Sequence, residues 1–286
     1  MSAGRAQEPI VDEVAEAALV SRLRAAGCVF AEDEARLLIG EAVDSSQLDA
    51  MTSRREAGEP LEQVVGWAEF CGLRLVVEPG VFVPRRRTAL MVRAALELLE
   101  CEPHGDGPAR GAAPIVVDLC CGVGAVAAAL SAVRGDTELY AVDIDPVAVH
   151  CAEANLGGVR VFTGDLYDVL PTGIRGRVRL ITANAPYVPT AEVAMMPSEA
   201  RDHEARAALD GGGDGLEVQR RVIEQAPRWL SSGGSLIVES SRAQAPTSAA
   251  IMRDHGLSAR IVEDDELEAT VIIGTLSQSA ARVGQR

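Results

Sequence analysis

Residues 115–130 read "IVVDLCCGVGAVAAAL" and combine an apolar run, a glycine-bearing turn and an alanine-rich run. The first five residues are mostly β-branched, which is typical of a buried strand. Gly122 and Gly124 allow a tight turn, and the alanine-rich run after them favours a helix. This strand–turn–helix unit predicts an open α/β sheet, in which ligands bind beside the carboxyl ends of the strands.

Strands and helices alternate from this unit to the end of the chain. Such alternation predicts a parallel sheet with helices on both faces. The last two strands are separated by too few residues for a helical crossover, so they should pair antiparallel. The predicted strands are 115–119, 138–143, 159–163, 178–183, 235–240, 259–264 and 269–275, and the predicted helices between them are 123–132, 146–155, 215–230 and 243–255.

The first third of the chain has a different pattern. Residues 1–67 predict a small helical domain with helices near 11–27, 30–43, 45–58 and 61–67, the third of them capped by Ser45 or Ser46. Residues 68–83 alternate in polarity and predict a β-hairpin linker that turns at "EPG", residues 78–80. Residues 84–286 then form the predicted catalytic domain, with a helix at 87–100 and a Gly- and Pro-rich loop at 101–114.

Composition excludes several classes of protein. The 286 residues carry a formal net charge of −15 and 27 Arg but no Lys, which argues against general nucleic-acid binding. The six Cys form no C-x-x-C pair and only four His occur, so we expect no metal site and no disulfide. The acidic N-terminus is unlike a signal peptide, and no apolar run is long enough to span a membrane. We therefore expect a cytoplasmic protein, and we expect a monomer.

Acidic residues follow the next two strands as well. Asp143 ends the second strand, 19 residues after Gly124, where a carboxylate can accept from both hydroxyls of a ribose. Asp165 follows the third strand and could accept from the amine of adenine. Ala127 replaces the last glycine of the dinucleotide-binding pattern, and no phosphate-binding cation accompanies these acids. With Asp118 near a ligand ammonium group, the set suits S-adenosylmethionine (SAM) better than NAD or ATP.

The order of these motifs resembles that of a known family over nearly the whole chain. The chain resembles class I SAM-dependent methyltransferases and, more narrowly, the HemK/PrmC group, which methylates a glutamine side chain in peptide release factors. The matching stretches are "GEPLEQVVGWAEFCGLRLVV" (58–77), "VFVPRRRT" (81–88), "VVDLCCGVGA" (116–125), "AVDIDP" (141–146), "GDLYDVLP" (164–171), "NAPYVP" (184–189) and "HEARAALDGGGDGL" (203–216). The resemblance implies a class I methyltransferase-like mixed seven-stranded sheet.

The resemblance also implies which residues act. SAM, with S-adenosylhomocysteine as product, would be bound by Asp118, Cys120, Gly122, Gly124, Asp143, Ile144, Asp165, Leu166 and Asn184. The catalytic residues would be Asn184, Ala185, Pro186 and Tyr187, and the substrate would contact Pro84, Arg85, Thr88, Asn184, Tyr187 and Glu204. The expected partner is a release factor or a related protein bearing a glutamine.

Asn184 ends a predicted buried strand, where an amide needs partners. An amide nitrogen is a poor nucleophile, so a substrate glutamine must be held with both of its hydrogens engaged. The side-chain oxygen of Asn184 and the carbonyl of Ala185 can be the two acceptors, and Tyr187 can stack on the planar group. Ala185 stands where the family usually has Pro, but it supplies the same carbonyl.

The loop after Pro84 departs from the family. Pro84, Arg85 and Thr88 match, whereas Arg86, Arg87 and Ala89 replace a Pro, an acid and a Glu. The basic loop is either a solvated surface or a contact for an acidic or phosphate-bearing partner. Three other functions stay open: methylation of an exocyclic amine in nucleic acid, methylation of a small molecule, and SAM binding without catalysis.

Overall fold

A computed structural model describes residues 12–100 and 113–277 of the chain. Residue 11, where the first helix was predicted to begin, and nearly all of the predicted loop at 101–114 lie outside these ranges. Within them, no helix is long and apolar enough to cross a membrane.

Four helices form the N-terminal part of the described chain. They are α1 (Glu13–Ala25), α2 (Ala31–Glu41), α3 (Ser45–Glu56) and α4 (Leu61–Val65). Their buried apolar side chains, among them Leu23, Leu38 and Met51, form a hydrophobic cluster separate from the two beside the large sheet. This cluster explains why the four helices pack together, while the division of the chain at residues 67 and 83 stays a prediction.

The predicted cap of α3 is wrong by one residue. Asp44, not Ser45 or Ser46, is the N-cap, and its Oδ1 accepts from the backbone N–H of Gln47 at 2.8 Å. Asp caps a helix as well as Ser does, and its charge also interacts favourably with the helix dipole.

The predicted hairpin is present, but its turn lies elsewhere. Strands β1 (Trp67–Phe70) and β2 (Leu73–Val76) pair antiparallel across Cys71 and Gly72. Both turn residues have positive φ, 50° and 76°, as a two-residue hairpin loop requires. The "EPG" stretch that was predicted as the turn leads instead into the irregular segment before Pro84.

A mixed seven-stranded sheet forms the rest of the molecule, as predicted. Its strands are β3 (Ile115–Leu119), β4 (Glu138–Asp143), β5 (Arg160–Thr163), β6 (Val178–Ala183), β7 (Leu230–Glu239), β8 (Leu257–Asp264) and β9 (Ala269–Leu276). The spatial order is β5-β4-β3-β6-β7-β9-β8. Strands β3 to β7 run parallel to one another, and β9 pairs antiparallel with both β7 and β8, which confirms the prediction for the last two strands.

Helices cover both faces of this sheet. The helices are α5 (Ala89–Glu100), α6 (Ala125–Val133), α7 (Pro146–Leu156), α8 (Ser198–His203), α9 (Arg206–Leu209), α10 (Glu217–Trp229) and α11 (Ala245–Asp254). Helices α5, α6 and α7 share a core with one face, and α10 and α11 share a core with the other. Alternate residues of β3 enter the two cores, with Val116 on one side and Val117 on the other, because successive strand side chains point to opposite faces. The short helices α8 and α9 were not predicted.

Gly124 has a packing role in addition to the role predicted for it in the cofactor site. Its φ is +78°, and a Cβ at this position would lie 2.9 Å from Cδ1 of Leu156 and 3.3 Å from Cβ of Ala152, both on α7. Gly122 also has a positive φ, +55°, but a Cβ there would meet nothing within 4 Å. Gly124 therefore lets α6 and α7 approach each other, and its predicted place in the cofactor site stays a prediction.

Replacing these two glycines should separate the cost of backbone strain from the cost of crowding. A left-handed conformation costs a non-glycine residue roughly 1–2 kcal/mol, so Gly122→Ala should destabilise by about that amount. Gly124→Ala should lose about 1–3 kcal/mol more because the packed side chains must shift. Urea unfolding of both variants measures the difference, and equal losses would show that Leu156 does not restrict this position.

Candidate active site

A cavity of about 660 Å³ lies at the carboxyl edge of the parallel strands. This is the edge at which β4 and β6 flank β3 and the strand order reverses, the place where open α/β sheets bind ligands. The residues predicted as site residues that line this cavity are Pro84, Arg85, Thr88, Asp118, Cys120, Gly122, Asp143, Ile144, Asp165, Leu166, Asn184, Ala185, Pro186 and Tyr187. Gly124 and Glu204 do not line it.

Asp143 is held by the backbone around it. Its Oδ2 accepts from the N–H of Gly122 at 2.8 Å, and its Oδ1 accepts from the N–H of Asp145 at 2.9 Å. Burial raises the pKa of this carboxyl group. Each oxygen keeps a lone pair for a ligand, and the two hydrogen bonds fix the carboxylate plane, so Asp143 can receive two neighbouring hydroxyl groups.

Asp118 lies deeper and is only 1% exposed. The hydroxyl of Thr182 donates to its Oδ1 at 2.8 Å, and the N–H of Ala127 donates to its Oδ2 at 3.2 Å. Burial raises the pKa of Asp118 to about 7, although both hydrogen bonds act in the opposite direction. A cationic ligand group beside this carboxylate would lower that pKa again.

The turn between these carboxylates contains a strained cysteine. Cys120 has a φ of +53°, a conformation that favours glycine. Burial raises the pKa of both the Cys120 and the Cys121 thiol, so neither is a reactive thiolate. Cys120 therefore contributes a small, uncharged side chain to the lining of the cavity.

The far end of this part of the cavity is partly apolar. Ile144 is 60% exposed although it is a large aliphatic residue, and Leu166 is buried with a φ of 50°. Asp165 lies beside them, and its Oδ2 accepts from Arg221 of α10 at 2.6 Å. A planar ring could pack between these side chains, and Arg221 already occupies one oxygen of Asp165.

The loop after β6 forms the opposite wall. The amide nitrogen of Asn184 donates to Oγ1 of Thr88 at 3.4 Å, a long hydrogen bond that leaves the amide oxygen for another partner. Ala185 is 1% exposed, so other residues pack against the side of the Asn184 loop that faces away from the cavity. Thr88, predicted to contact substrate, also orients Asn184.

A glycine-rich loop supports this wall from behind. Residues 211–215 read "GGGDG", and the N–H of Gly211 donates to the carbonyl of Val188 at 2.8 Å. A Cβ on Gly211 would collide with the carbonyl of Pro186, and one on Gly215 would collide with the carbonyl of Tyr187 and with Gln244. Glycine at these positions therefore allows the two loops to pack backbone against backbone. Nothing in the sequence pattern of this stretch indicates its supporting role.

Tyr187 is fixed by residues that the sequence analysis missed. Its hydroxyl donates to Oε1 of Glu239 at 3.3 Å, and its carbonyl accepts from Gln244 at 2.9 Å. The Arg87 guanidinium lies 5.9 Å from the centre of the ring and also donates to Glu239. Burial raises the pKa of Tyr187 to about 12. The signal for Glu239 was present, since it is an acid at the end of a predicted strand, as Asp143 is.

The basic loop is less exposed to partners than its sequence suggested. Arg85 donates to both oxygens of Glu204, at 2.6 and 2.7 Å, and the side chain of Glu204 is fully buried. Arg87 pairs with the buried Glu239. Of these three arginines, only Arg86 is exposed without a described acidic partner. The three therefore do not form one basic surface for an acidic partner, and each has to be considered separately. Glu204, predicted to contact substrate, holds Arg85, and its contact with substrate stays a prediction.

Comparisons with known proteins agree with this geometry. Residues 108–219 match the family model described as "Methyltransferase small domain". A "Release factor glutamine methyltransferase" of Geobacter sulfurreducens is 39% identical over 201 residues, which cover 69% of this chain and 66% of that protein. The protein of that name from Bradyrhizobium diazoefficiens is 31% identical over 267 residues, covering 84% of this chain and 87% of that protein.

The chain belongs to the release factor glutamine methyltransferase family.

The predictions of family, fold class and methyltransferase activity are thereby confirmed. A further relative is the "4-amino-L-phenylalanine/4-methylamino-L-phenylalanine methyltransferase" of Streptomyces pristinaespiralis, 34% identical and covering 71% of this chain and 68% of that protein. Among solved structures, a methyltransferase from Pyrococcus furiosus matches with a TM-score of 0.50 and 15% identity, over 72% of this chain and 90% of that one, which supports the fold alone.

The buried Asp118 in this family member should make stability depend on pH. Its pKa is raised to about 7 in the folded state, so the folded state binds the proton more tightly than the unfolded state does. The stability it contributes is therefore complete below about pH 4 and is lost as the pH rises to 7. Between about pH 4 and pH 7, wild type should lose a few kcal/mol of unfolding free energy that Asp118→Asn does not lose, since a shift of one pKa unit corresponds to about 1.4 kcal/mol.

Urea unfolding of both proteins at a series of pH values tests this expectation. The comparison uses the slope against pH, because Asn also changes the hydrogen bond from Ala127. Parallel curves for wild type and variant would contradict the assignment of this titration to Asp118.

Proposed function

We propose that this protein transfers a methyl group from SAM to the side-chain amide nitrogen of a glutamine in a peptide release factor. The observation that carries the proposal is that residues 184–187, "NAPY", share one cavity with Asp118 and Asp143. One wall can hold a nucleoside and the other can hold a planar amide. Membership in the family supports the same substrate.

The residues of the cofactor wall fit SAM. Asp143 would accept from the ribose hydroxyls, and Asp118 would face the ammonium group of the methionine part. Ile144 and Leu166 would pack against the adenine ring, beside Asp165. Gly122 and Cys120 would line the turn that the nucleoside crosses. When bound, SAM supplies an electrophilic methyl group attached to a sulfonium sulfur.

The other wall would make the amide nitrogen of the substrate available for transfer. Asn184 and the carbonyl of Ala185 are two hydrogen-bond acceptors on one short loop, and a substrate NH₂ group has two hydrogens to donate. Holding both hydrogens would direct the nitrogen toward the cofactor wall. Positioning of this kind can contribute roughly 7–11 kcal/mol to catalysis. Tyr187, held by Glu239 and Gln244, would stack on the amide plane.

Nucleic acid is a poorer substrate for this cavity. The acidic residues on its lining include Asp143, Asp145, Asp165 and Asp210, while Arg85 and Arg87 each face a buried carboxylate. The net charge of −15 would also repel a phosphate backbone. A small aromatic amine is the second candidate, since an aminophenylalanine methyltransferase is among the relatives.

Methyl transfer from labelled SAM to purified substrates tests the proposal. The substrates are a bacterial peptide release factor, the same factor with its target glutamine replaced by Ala, and 4-amino-L-phenylalanine. We expect label on the intact factor, located on one glutamine by mass spectrometry. Labelling of the amino acid alone would replace the proposed function by the second candidate.

Asp143→Ala should weaken the binding of SAM without unfolding the protein. The variant removes a charged acceptor of ribose hydroxyls, and hydrogen bonds to charged groups contribute about 1.5–3 kcal/mol, so we expect a loss of roughly tenfold or more. Titration calorimetry measures the dissociation constant directly. Asp136→Ala, a change to an exposed acid outside the cavity, is the matched control. An unchanged affinity in Asp143→Ala would contradict the ribose assignment.

Asn184→Ala should lower kcat more than it raises KM. It removes one of two acceptors that orient the substrate amide, and such a loss acts mainly on the transition state. We expect a decrease on the order of 100-fold in kcat, similar to the loss of one positioned donor from an oxyanion hole. SAM binding should persist.

Ala185→Pro is the companion variant because it keeps the carbonyl. Pro also restricts Asn184 to extended backbone, which the end of β6 favours. We expect this variant to fold and to stay active. Full activity in Asn184→Ala, or an inactive Ala185→Pro that still binds SAM, would show that the amide is not held in this way.

A further inference from the structure

Arg87 differs from its two neighbours in what its guanidinium can still bind. Arg85 makes a close two-point contact with Glu204, and Arg86 is exposed and lies outside the cavity lining. Arg87 lines the cavity, and its side chain is 42% exposed. It therefore combines a place in the cavity with accessible donor groups.

Glu239 determines how Arg87 is oriented. Glu239 ends β7, and its side chain is 2% exposed. Val238 pairs with Ala183, so Glu239 lies beside Asn184 at the edge of the sheet. Its Oε1 accepts from Nε of Arg87 at 3.2 Å and from the hydroxyl of Tyr187 at 3.3 Å. Its Oε2 is buried with no hydrogen-bond partner.

These contacts use only part of the guanidinium. Nε of Arg87 donates to Glu239, and the guanidinium also interacts with the hydroxyl of Tyr187 and lies 5.9 Å from the centre of its ring. Within residues 12–100 and 113–277 no further acceptor is described for Arg87. A guanidinium has five N–H donors, so Glu239 and Tyr187 hold the group while some of its donors remain for a partner in the cavity.

We propose that Arg87 is a specificity-determining residue that binds a carboxylate of the substrate close to the nitrogen that is methylated, with Glu239 as its positioning residue. The inference rests on the proposed function. The guanidinium fork matches a carboxylate in two-point geometry, and partial burial strengthens such a contact. Thr88 follows Arg87 directly in the chain and contacts Asn184. A carboxylate bound by Arg87 would therefore lie within about one residue's length of the substrate nitrogen that accepts the methyl group.

Two sources could supply this carboxylate. One is an acidic side chain next to the glutamine in a protein substrate. The other is the α-carboxylate of a free amino acid that bears an amine. The test therefore uses two matched pairs of probes. The first pair is a glutamine peptide with Glu or Ala beside the glutamine, and the second is 4-amino-L-phenylalanine and its methyl ester.

Binding of each probe is measured by calorimetry with S-adenosylhomocysteine present, and methyl transfer is measured with SAM. The proteins are wild type, Arg87→Gln, Glu239→Gln and the control Arg86→Gln, which removes the same charge outside the cavity. We expect wild type to prefer the carboxylate in at least one pair by roughly tenfold, the effect of one charge-assisted hydrogen bond. The pair that shows the preference identifies the source.

Arg87→Gln should abolish this preference, and Arg86→Gln should retain it. Glu239→Gln should reduce it by raising KM for the carboxylate member of the pair, because the guanidinium is then less well oriented. Since Glu239 also holds Tyr187, kcat should fall equally for both members. Equal affinity of wild type for both members of both pairs would overturn the inference. A preference that survives in Arg87→Gln, or a loss of SAM affinity in that variant, would also overturn it.

Different results would contradict the proposed function and the assignment of Arg87. If wild type binds the carboxylate probes preferentially but transfers no methyl group to any glutamine, the proposed function is wrong and the assignment of Arg87 stands. If wild type methylates a release factor but shows no carboxylate preference, the assignment of Arg87 is wrong.

Discussion

Strand β3 pairs in parallel with β4 on one side and with β6 on the other, although β4 and β5 stand between β3 and β6 in the chain. The carboxyl ends of the three strands consequently lie together although they are far apart in sequence. This single arrangement brings Asp118, Asp143 and Asn184 to one cavity. It also aligns β7 beside β6, so that Glu239 arrives next to Asn184.

Close backbone packing maintains that cavity. Gly124 lets α6 and α7 approach, and the glycines at 211 and 215 let one loop lie directly behind the loop that carries Asn184. In each case a Cβ would meet a neighbouring atom within about 3 Å. At Gly211 and Gly215 the nearest atom belongs to the backbone and cannot move aside, whereas at Gly124 it belongs to the side chain of Leu156, which would have to shift. The rigidity of the site thus comes from positions that carry no chemistry.

Buried ion pairs give the cavity wall a second kind of support. Glu204 and Glu239 are both almost fully buried, and each fixes one arginine of the loop after Pro84. A buried carboxylate without a cation would be strongly unfavourable, so each pair holds its loop residue in place. Arg85, which matches the family pattern, and Arg87, which departs from it, thus have acidic partners inside the protein, whereas no acidic partner is described for Arg86.

The sequence by itself determined the succession of strands and helices along the chain, the class of sheet and a minority of the residues that line the cavity, among them Asp118, Asp143 and Asn184. The apolar runs in the sequence identify β3, β4 and β6, because the burial of these strands depends on their local composition. Acids and amides that follow such strands lie at one edge in any parallel sheet, so their meeting at one site could be predicted. Only the tertiary structure decided what Glu204, Glu239 and Arg87 do, because each depends on a partner more than 100 residues away. It also decided the hairpin turn at Cys71, since a positive φ at a non-glycine residue is imposed by strand pairing and not by propensity.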